Sequence, residues 1–574
     1  MATEENMRNF KKTSERQWYV YDNFGEKVYP GTDRGRNLSR LDAFRIMFPS
    51  DQMKLMLDLT NNELRKKRRA VPLMTEGEML KFFGILVLMT RVRCRNRKDC
   101  WGTRSKYKYQ PTVNFAETGM TRHRWDDIWS AIRFSHQPEE KPPEMSNADW
   151  RWMLIDDFVK NFNDHRANSY YPSDKICVDE SIIRWYGVGG DWINMGLPFY
   201  VALERKPENG CEVQNACDGK SGIMMRLKIV KKPETEALYV AAQTQATPSV
   251  EDLGHGTEVL LELLHPWKKA RGQRRCVAAD SYFASVQAAT KMLEEGFDFL
   301  GPVKTCHREF PKQFLEGLEI PPGRGHTRSL VSDDDDGRIA LIATMWVDRD
   351  RKFFIGTCEG SDPGNPQYRM RWRQLDDVET NATPVRLMLE VPQPRMVESY
   401  FGFCSRIDEL NRQRQTDLEM EKYVRTNDFS KRLGTSILSM CMVDAMNLHQ
   451  QCKPYAETDC NSHEWFSLFA EELIDNDIDG IGATTRSQRR SSGDTTTSPT
   501  PNARSIPTNL GLTPNKERDR RGFTKQGRCK ICNIKATTMC RTCTEDDDHK
   551  RPFWLCSTRS KRNCWNDHKS EKHN

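Results

Sequence analysis

Residues 274–285 read RRCVAADSYFAS: a short apolar run, Cys276-Val277-Ala278-Ala279, stops on a single carboxylate, Asp280. The run suits a buried strand bounded by polar residues. It cannot extend past Asp280 without burying a charge, so the acid falls at the strand's exposed end. Open α/β sheets place their ligand sites at that edge. Ser285 then stands where an N-cap is expected for a helical pattern over 286–295. Residues 175–180, KICVDE, repeat the device with an apolar run that ends on Asp179. Two strand-end carboxylates far apart in sequence point to a divalent-cation site, whereas either acid alone reads equally well as a cap or turn residue.

The rest of the chain organises around that pair. Its 574 residues leave room for roughly two to four domains. Only 37% of them are hydrophobic and 29% are charged, so parts of the chain are expected outside any packed core. Residues 1–35 read as a polar, disordered tail. They lack the apolar segment of a secretory signal, and the apolar run 82–89 is too short to span a bilayer. A soluble intracellular protein without a membrane partner is expected. Residues 36–170 carry helical periodicity. Within them Thr75-x-x-Glu78 has capping-box spacing, and 120–135 interleaves tryptophans with arginines so that a helix could turn its indoles inward. The basic run at 65–69 is read first as a solvated helix face, with a nuclear address or a phosphate-contact patch as alternatives.

Over 171–308 the rhythm changes to short β-like runs, then helix, strand, helix, strand. That is the pattern of an α/β sheet of mixed direction, as in the RNase H fold. Residues 309–390 read as a β-rich insertion, with 333–336 as a solvated acidic turn. Helical pattern returns over 391–416, which would complete the core, and over 417–475. The third acid expected of a two-cation site is Asp408. On a helix, Asn411 and Arg412 share its face at i+3 and i+4, putting an acid, an amide and a cation together. Asp417 and Asp444 are rivals, although Asp444 interrupts an apolar helix and is better read as a structural hydrogen-bonding group.

Residues 476–522 are rich in Ser, Thr, Pro and Arg without periodicity, a disordered basic linker. The last 94 residues hold 20 Lys/Arg against 9 Asp/Glu, a local +11 that leaves about −4 for the remainder of the +7 total. Of 18 cysteines, six lie in the final 46 residues. Cys529, Cys532, Cys540, Cys543, Cys556, Cys564 and His568 have the spacing of zinc ligands. Seven exceed one tetrahedral site, so two Zn²⁺ ions are expected, with His549 or His573 as the eighth ligand. Basic residues around the cluster, among them Lys530, Arg541, Lys561 and Arg562, suggest a DNA target, and a RING- or PHD-like protein-binding module is the alternative.

Together these segments resemble the piggyBac family of DDE/D transposases. The resemblance rests on VDE at 178–180, Lys206-Pro207 with Gly210, AADSYFAS, the Ile-Asp-x-x-Asn stretch around Asp408, and the Cys/His tail. It implies an RNase H-like, retroviral-integrase-type catalytic core in which Asp179, Asp280 and Asp408 hold two Mg²⁺ or Mn²⁺ ions. It implies cut-and-paste transposition of double-stranded DNA through a hairpin intermediate into TTAA targets. It also implies a nuclear homodimer, with DNA contacts from Lys206, Arg412 and the tail. Two departures stand out. Ser405-Arg-Ile precedes Asp408 where better-known members have Gly-Gly-Val, and Asn411 replaces a further Asp. A domesticated DNA- or chromatin-binding protein without the chemistry is therefore the second expectation. A zinc-dependent ubiquitin ligase would use only the tail and leave the three acids unexplained.

Overall fold

The computed structural model describes residues 38–67, 70–93, 97–102, 114–185, 196–202, 209–231, 253–268, 274–304, 309–333, 340–373, 385–452 and 461–480, with a few two- and three-residue strands outside them. The chain divides into two units, Met1–Gln488 and Arg489–Asn574.

The first unit opens with helices α1 (Arg40–Met47), α2 (Ser50–Arg65), α3 (Glu76–Val92), α4 (Arg122–Ala131) and α5 (Asn147–Ser169). Ser39, Thr75, Thr121 and Ser146 cap α1, α3, α4 and α5, each side chain accepting the backbone N–H three residues on. The Thr75 cap falls where its spacing predicts, while the Glu78 carboxylate pairs with Arg124 at 2.5 Å. On α4 the two indoles do turn inward: Trp125 and Trp129 are buried and stacked 5.3 Å apart. Of the basic run, Lys66 pairs with Glu63 and Lys67 with Asp127, at the end of α2.

Strands β1 (Lys175–Arg184), β2 (Asn209–Asp218) and β3 (Met224–Ile229) then form an antiparallel meander. Helix α6 (His255–Leu264) crosses to β4 (Arg275–Ala279), and α7 (Val286–Glu294), capped by Ser285, crosses to β5 (Phe297–Pro302). Parallel neighbours need such helical crossovers, and β1–β4 and β4–β5 are the parallel pairs. Beyond β5, strands β6 (Thr327–Asp333), β7 (Ala340–Val347) and β8 (Arg351–Gly356) continue the same sheet, because β8 pairs with β5. The sheet order is β3-β2-β1-β4-β5-β8-β7-β6, with the two-residue strand Val201–Ala202 on the start of β2. Much of the segment read as an insertion thus widens the central sheet. Among the described residues of that segment, only β9 (Gln367–Arg373) and β10 (Val385–Val391) pair apart from the sheet as a hairpin.

Helices α8 (Arg395–Phe403), α9 (Arg406–Arg412), α10 (Phe429–Cys452) and α11 (Ser462–Ile474) complete the unit. The sheet separates two apolar cores. Ile176, Val178, Val277, Ala279 and Phe299 pack with α6 and α7 on one face. Cys177, Ile183, Ala278 and Leu300 pack with α8, α10 and the N-terminal helices on the other. This alternation along β1 and β4 is the two-residue period of a strand buried on both sides. Asp444, the rival third acid, is buried within α10. It pairs with Arg166 of α5 at 2.8 Å and accepts the Met224 N–H at 2.8 Å, so its role is the structural one. No helix among the described residues is long and apolar enough to cross a membrane.

In the second unit, Leu512–Pro514, Thr538–Cys540 and Trp554–Leu555 form a three-stranded antiparallel sheet, and Gly527–Arg528 pairs with Lys535–Ala536. Six of the expected zinc ligands, Cys529, Cys532, Cys543, Cys556, Cys564 and His568, lie outside the described residues, as do His549, His573 and the Cys540 side chain.

Candidate active site

β1 does not end on Asp179 as its apolar run predicts: pairing with β2 carries it on to Arg184, and only burial fails in the middle of the strand. Ile176, Cys177 and Val178 are buried, Asp179 and Glu180 are half-exposed, and burial resumes at Ser181. The reason lies in the neighbouring strand. Pairing between β1 and β4 ends at Val178↔Ala279, so Asp179 and Asp280 are the next residues on two adjacent parallel strands. A ligating oxygen from each of Asp179, Glu180 and Asp280 lies within 4.8 Å of the others. Glu180 reaches this group because β4 stops at Ala279, leaving β1 without a partner on that side. Around an open strand end, carboxylates from opposite faces can meet.

The two aspartates are held by backbone. Asp179 Oδ1 accepts the Glu180 N–H at 2.8 Å, and Asp280 Oδ1 accepts the Tyr282 N–H at 2.8 Å. The Asp280 carbonyl accepts from Phe283 and Ala284, which closes a tight turn into α7. Behind that turn, a Cβ on Gly256 at the start of α6 would sit 2.9 Å from the Tyr282 carbonyl, so only glycine allows this approach. Burial, reinforced by the charges of Glu180 and Asp280, pushes the Asp179 carboxyl up to about 9. Asp280 is also raised, by burial first and Glu180 second, and is drawn back by the Tyr282 N–H and by Lys304. The donor set fits a hard divalent cation: oxygen ligands only, half-buried, and repelling one another until a positive charge is supplied.

Asp408 lies on α9, exposed, and its carboxylate falls outside the group of three. Two hydrogen bonds fix where its helix runs. The Cys177 thiol donates to the Cys404 carbonyl at 3.2 Å, and Gln415 Nε2 donates to the Ile182 carbonyl at 3.0 Å. Both bonds join β1 to the stretch from Cys404 through α9 into the π-helical turn Gln413–Leu418, so the two segments run side by side in one direction. Asp408 follows the first of these bonds by four residues and lies on α9, and Asp179 follows it by two on β1. Asn411 Oδ1 accepts from Arg414 Nη2 at 3.2 Å. Arg412 is bound to Asp417 at 3.1 Å, which accounts for the other rival acid. Lys206 lies outside the described residues, as do Lys530, Arg541, Lys561 and Arg562.

Sequence reasoning pairs Asp179 with Asp280 but passes over Glu180, because successive strand residues point to opposite faces. It also passes over Lys304, which has no local motif. The only signal for Glu180 is its place in VDE.

Residues 39–446 match the family model described as Transposase IS4. The chain belongs to this family of DDE-type transposases, of the piggyBac kind. Among solved structures it is similar to a piggyBac transposase synaptic complex with hairpin DNA, determined by cryo-electron microscopy. The TM-score is 0.58 at 16% identity, over 89% of this chain and 97% of that one. No sequence among the curated proteins matches the chain.

Proposed function

We propose that the chain is a DNA transposase that cleaves double-stranded DNA at transposon ends and joins the freed 3′ ends to a target. Asp179, Asp280 and Asp408 are the carboxylates of its reaction centre. The observation that carries this reading is the register that sets Asp179, in the middle of β1, beside Asp280 at the end of β4. The order β3-β2-β1-β4-β5, in which β2 alone runs against the others, supports an RNase H-like core. Asp179, Glu180 and Asp280 are hard oxygen donors for Mg²⁺ or Mn²⁺, and Asp408 adds another from the facing helix. Such ions, when bound, act as Lewis acids on a scissile phosphate and lower the pKa of an attacking water or 3′-hydroxyl. Lys304, beside Asp280, offsets the charge of the incoming phosphate. The likeness to the hairpin-bound synaptic complex supports a hairpin intermediate as part of this reading, and the family resemblance favours TTAA targets, a homodimer and a nuclear location. The seven Cys/His ligands of the tail hold two Zn²⁺ ions, and its basic residues bind the terminal repeats.

A second reading, a DNA-binding protein that has lost the chemistry, is favoured by one observation: the Asp408 carboxylate stands apart from the other three. Nicking of supercoiled plasmid in Mn²⁺ separates the two. On the first reading the full-length protein nicks, and Asp179→Asn, Asp280→Asn and Asp408→Asn each abolish it while the fold is kept. Binding of DNA without nicking by the wild type establishes the second.

A further inference from the structure

The turn after Asp280 holds one aromatic ring out in solvent. Tyr282 is 45% exposed, whereas Phe283 beside it is buried. An exposed aromatic is unremarkable on a loose loop, but this ring is fixed from several sides. Its N–H is bonded to Asp280, its edge packs on Phe283 at 4.9 Å and 88°, and its carbonyl lies against Gly256 of α6. Two basic side chains stand around it. The Lys304 ammonium is 5.8 Å from the ring centroid, and the exposed His255 ring is 6.4 Å away. Lys304 also draws down the Asp280 carboxyl, so one cation acts on both the ring and the acid.

The three carboxylates are themselves only partly exposed, so a phosphate reaches them most readily on a strand that bends and lets an adjoining base leave its stack, which costs a few kcal/mol. An aromatic side chain offers a replacement stacking partner, and it accepts any base because every base has a π-face. We propose that Tyr282 is the stacking platform for an unpaired nucleobase next to the phosphate held at Asp179 and Asp280, with Lys304 and His255 receiving the flanking phosphate of that strand. The proposal rests on the reading of this site as a DNA-cleaving centre.

The test uses full-length protein and Mn²⁺ with a short single-stranded oligonucleotide that carries 5-iododeoxyuridine, and with the same sequence as a duplex. After irradiation the crosslinked peptide is mapped by mass spectrometry, and binding is followed by fluorescence anisotropy. The wild type crosslinks to the single strand at Tyr282. Tyr282→Ala loses the crosslink and binds the single strand roughly tenfold to a hundredfold more weakly, while its melting temperature is kept because the ring is exposed. Tyr282→Phe recovers both, since stacking needs the ring and not the hydroxyl. Lys304→Gln lowers affinity and flattens its salt dependence. Plasmid nicking runs in parallel and separates the two levels. Absence of nicking in the wild type removes the catalytic reading. Nicking in the wild type together with unchanged single-strand binding in Tyr282→Ala, or crosslinks confined to other residues, overturns the stacking role alone.

Discussion

Asp179→Asn should make the metal-free protein more stable and the metal-bound protein less so. Burial and the neighbouring Glu180 and Asp280 hold the Asp179 carboxyl at about 9 in the folded chain, against ~3.9 when unfolded. A folded pKa above the unfolded one means that the acid's contribution is fully present below pH ~4 and is lost as pH rises through ~9. At pH 7 folding must therefore draw a proton onto Asp179. Three pH units at ~1.4 kcal/mol each make this a cost of up to about 4 kcal/mol. Asparagine is already neutral and removes the cost, so the variant gains up to that amount in EDTA and loses the slope with pH. Mn²⁺ at a hundredfold excess over Kd stabilises the wild type by about 2.7 kcal/mol, and the variant should show little of this. Urea denaturation at pH 6, 7 and 8, with EDTA or Mn²⁺, measures all three effects. A variant less stable than the wild type in EDTA, or wild-type stability flat across that range, would refute the claim that the acids repel one another in a shared pocket.

Glu180→Gln should weaken Mn²⁺ binding in calorimetry and slow plasmid nicking, because Glu180 shares the pocket with the two aspartates; unchanged binding would leave it a bystander. Asp444→Leu strands the Arg166 guanidinium, which is 1% exposed, and should cost about 3–5 kcal/mol in denaturation, whereas adding Arg166→Met should recover most of it. Residues 523–574, expressed alone, should take up about two zinc ions and fold only with them, and Cys540→Ser should reduce the metal content measured by mass spectrometry. DNA affinity of that fragment should fall steeply with salt.

Much of the molecule is written locally. An apolar run that stops on a carboxylate marks the end of β4 at Asp280, but β1 runs on past Asp179 to Arg184, so both acids are legible as candidates and only one of them as a strand end. Ser285 and Thr75 mark their helix starts for the same reason, since a cap needs only the N–H three residues on. Tertiary structure decided what these elements meet. Nothing in KICVDE or RRCVAADS states that Val178 pairs with Ala279, yet that register alone makes the two acids neighbours. Glu180 joins them because β4 ends where it does, a property of the partner strand, while its own alternation assigns it to the other face. The segment at 309–390 reads as an insertion because turns interrupt it. The backbone groups along the edge of β5 decided where it goes, since an unpaired edge takes the strand that can reach it, and β8 does. Asp408 shows the division most clearly. Its helical face could be read from Asn411 and Arg412, but the run of its segment along β1 depends on two hydrogen bonds between residues more than 200 positions apart. Periodicity fixes the face a side chain takes, and only long-range pairing fixes which groups share it.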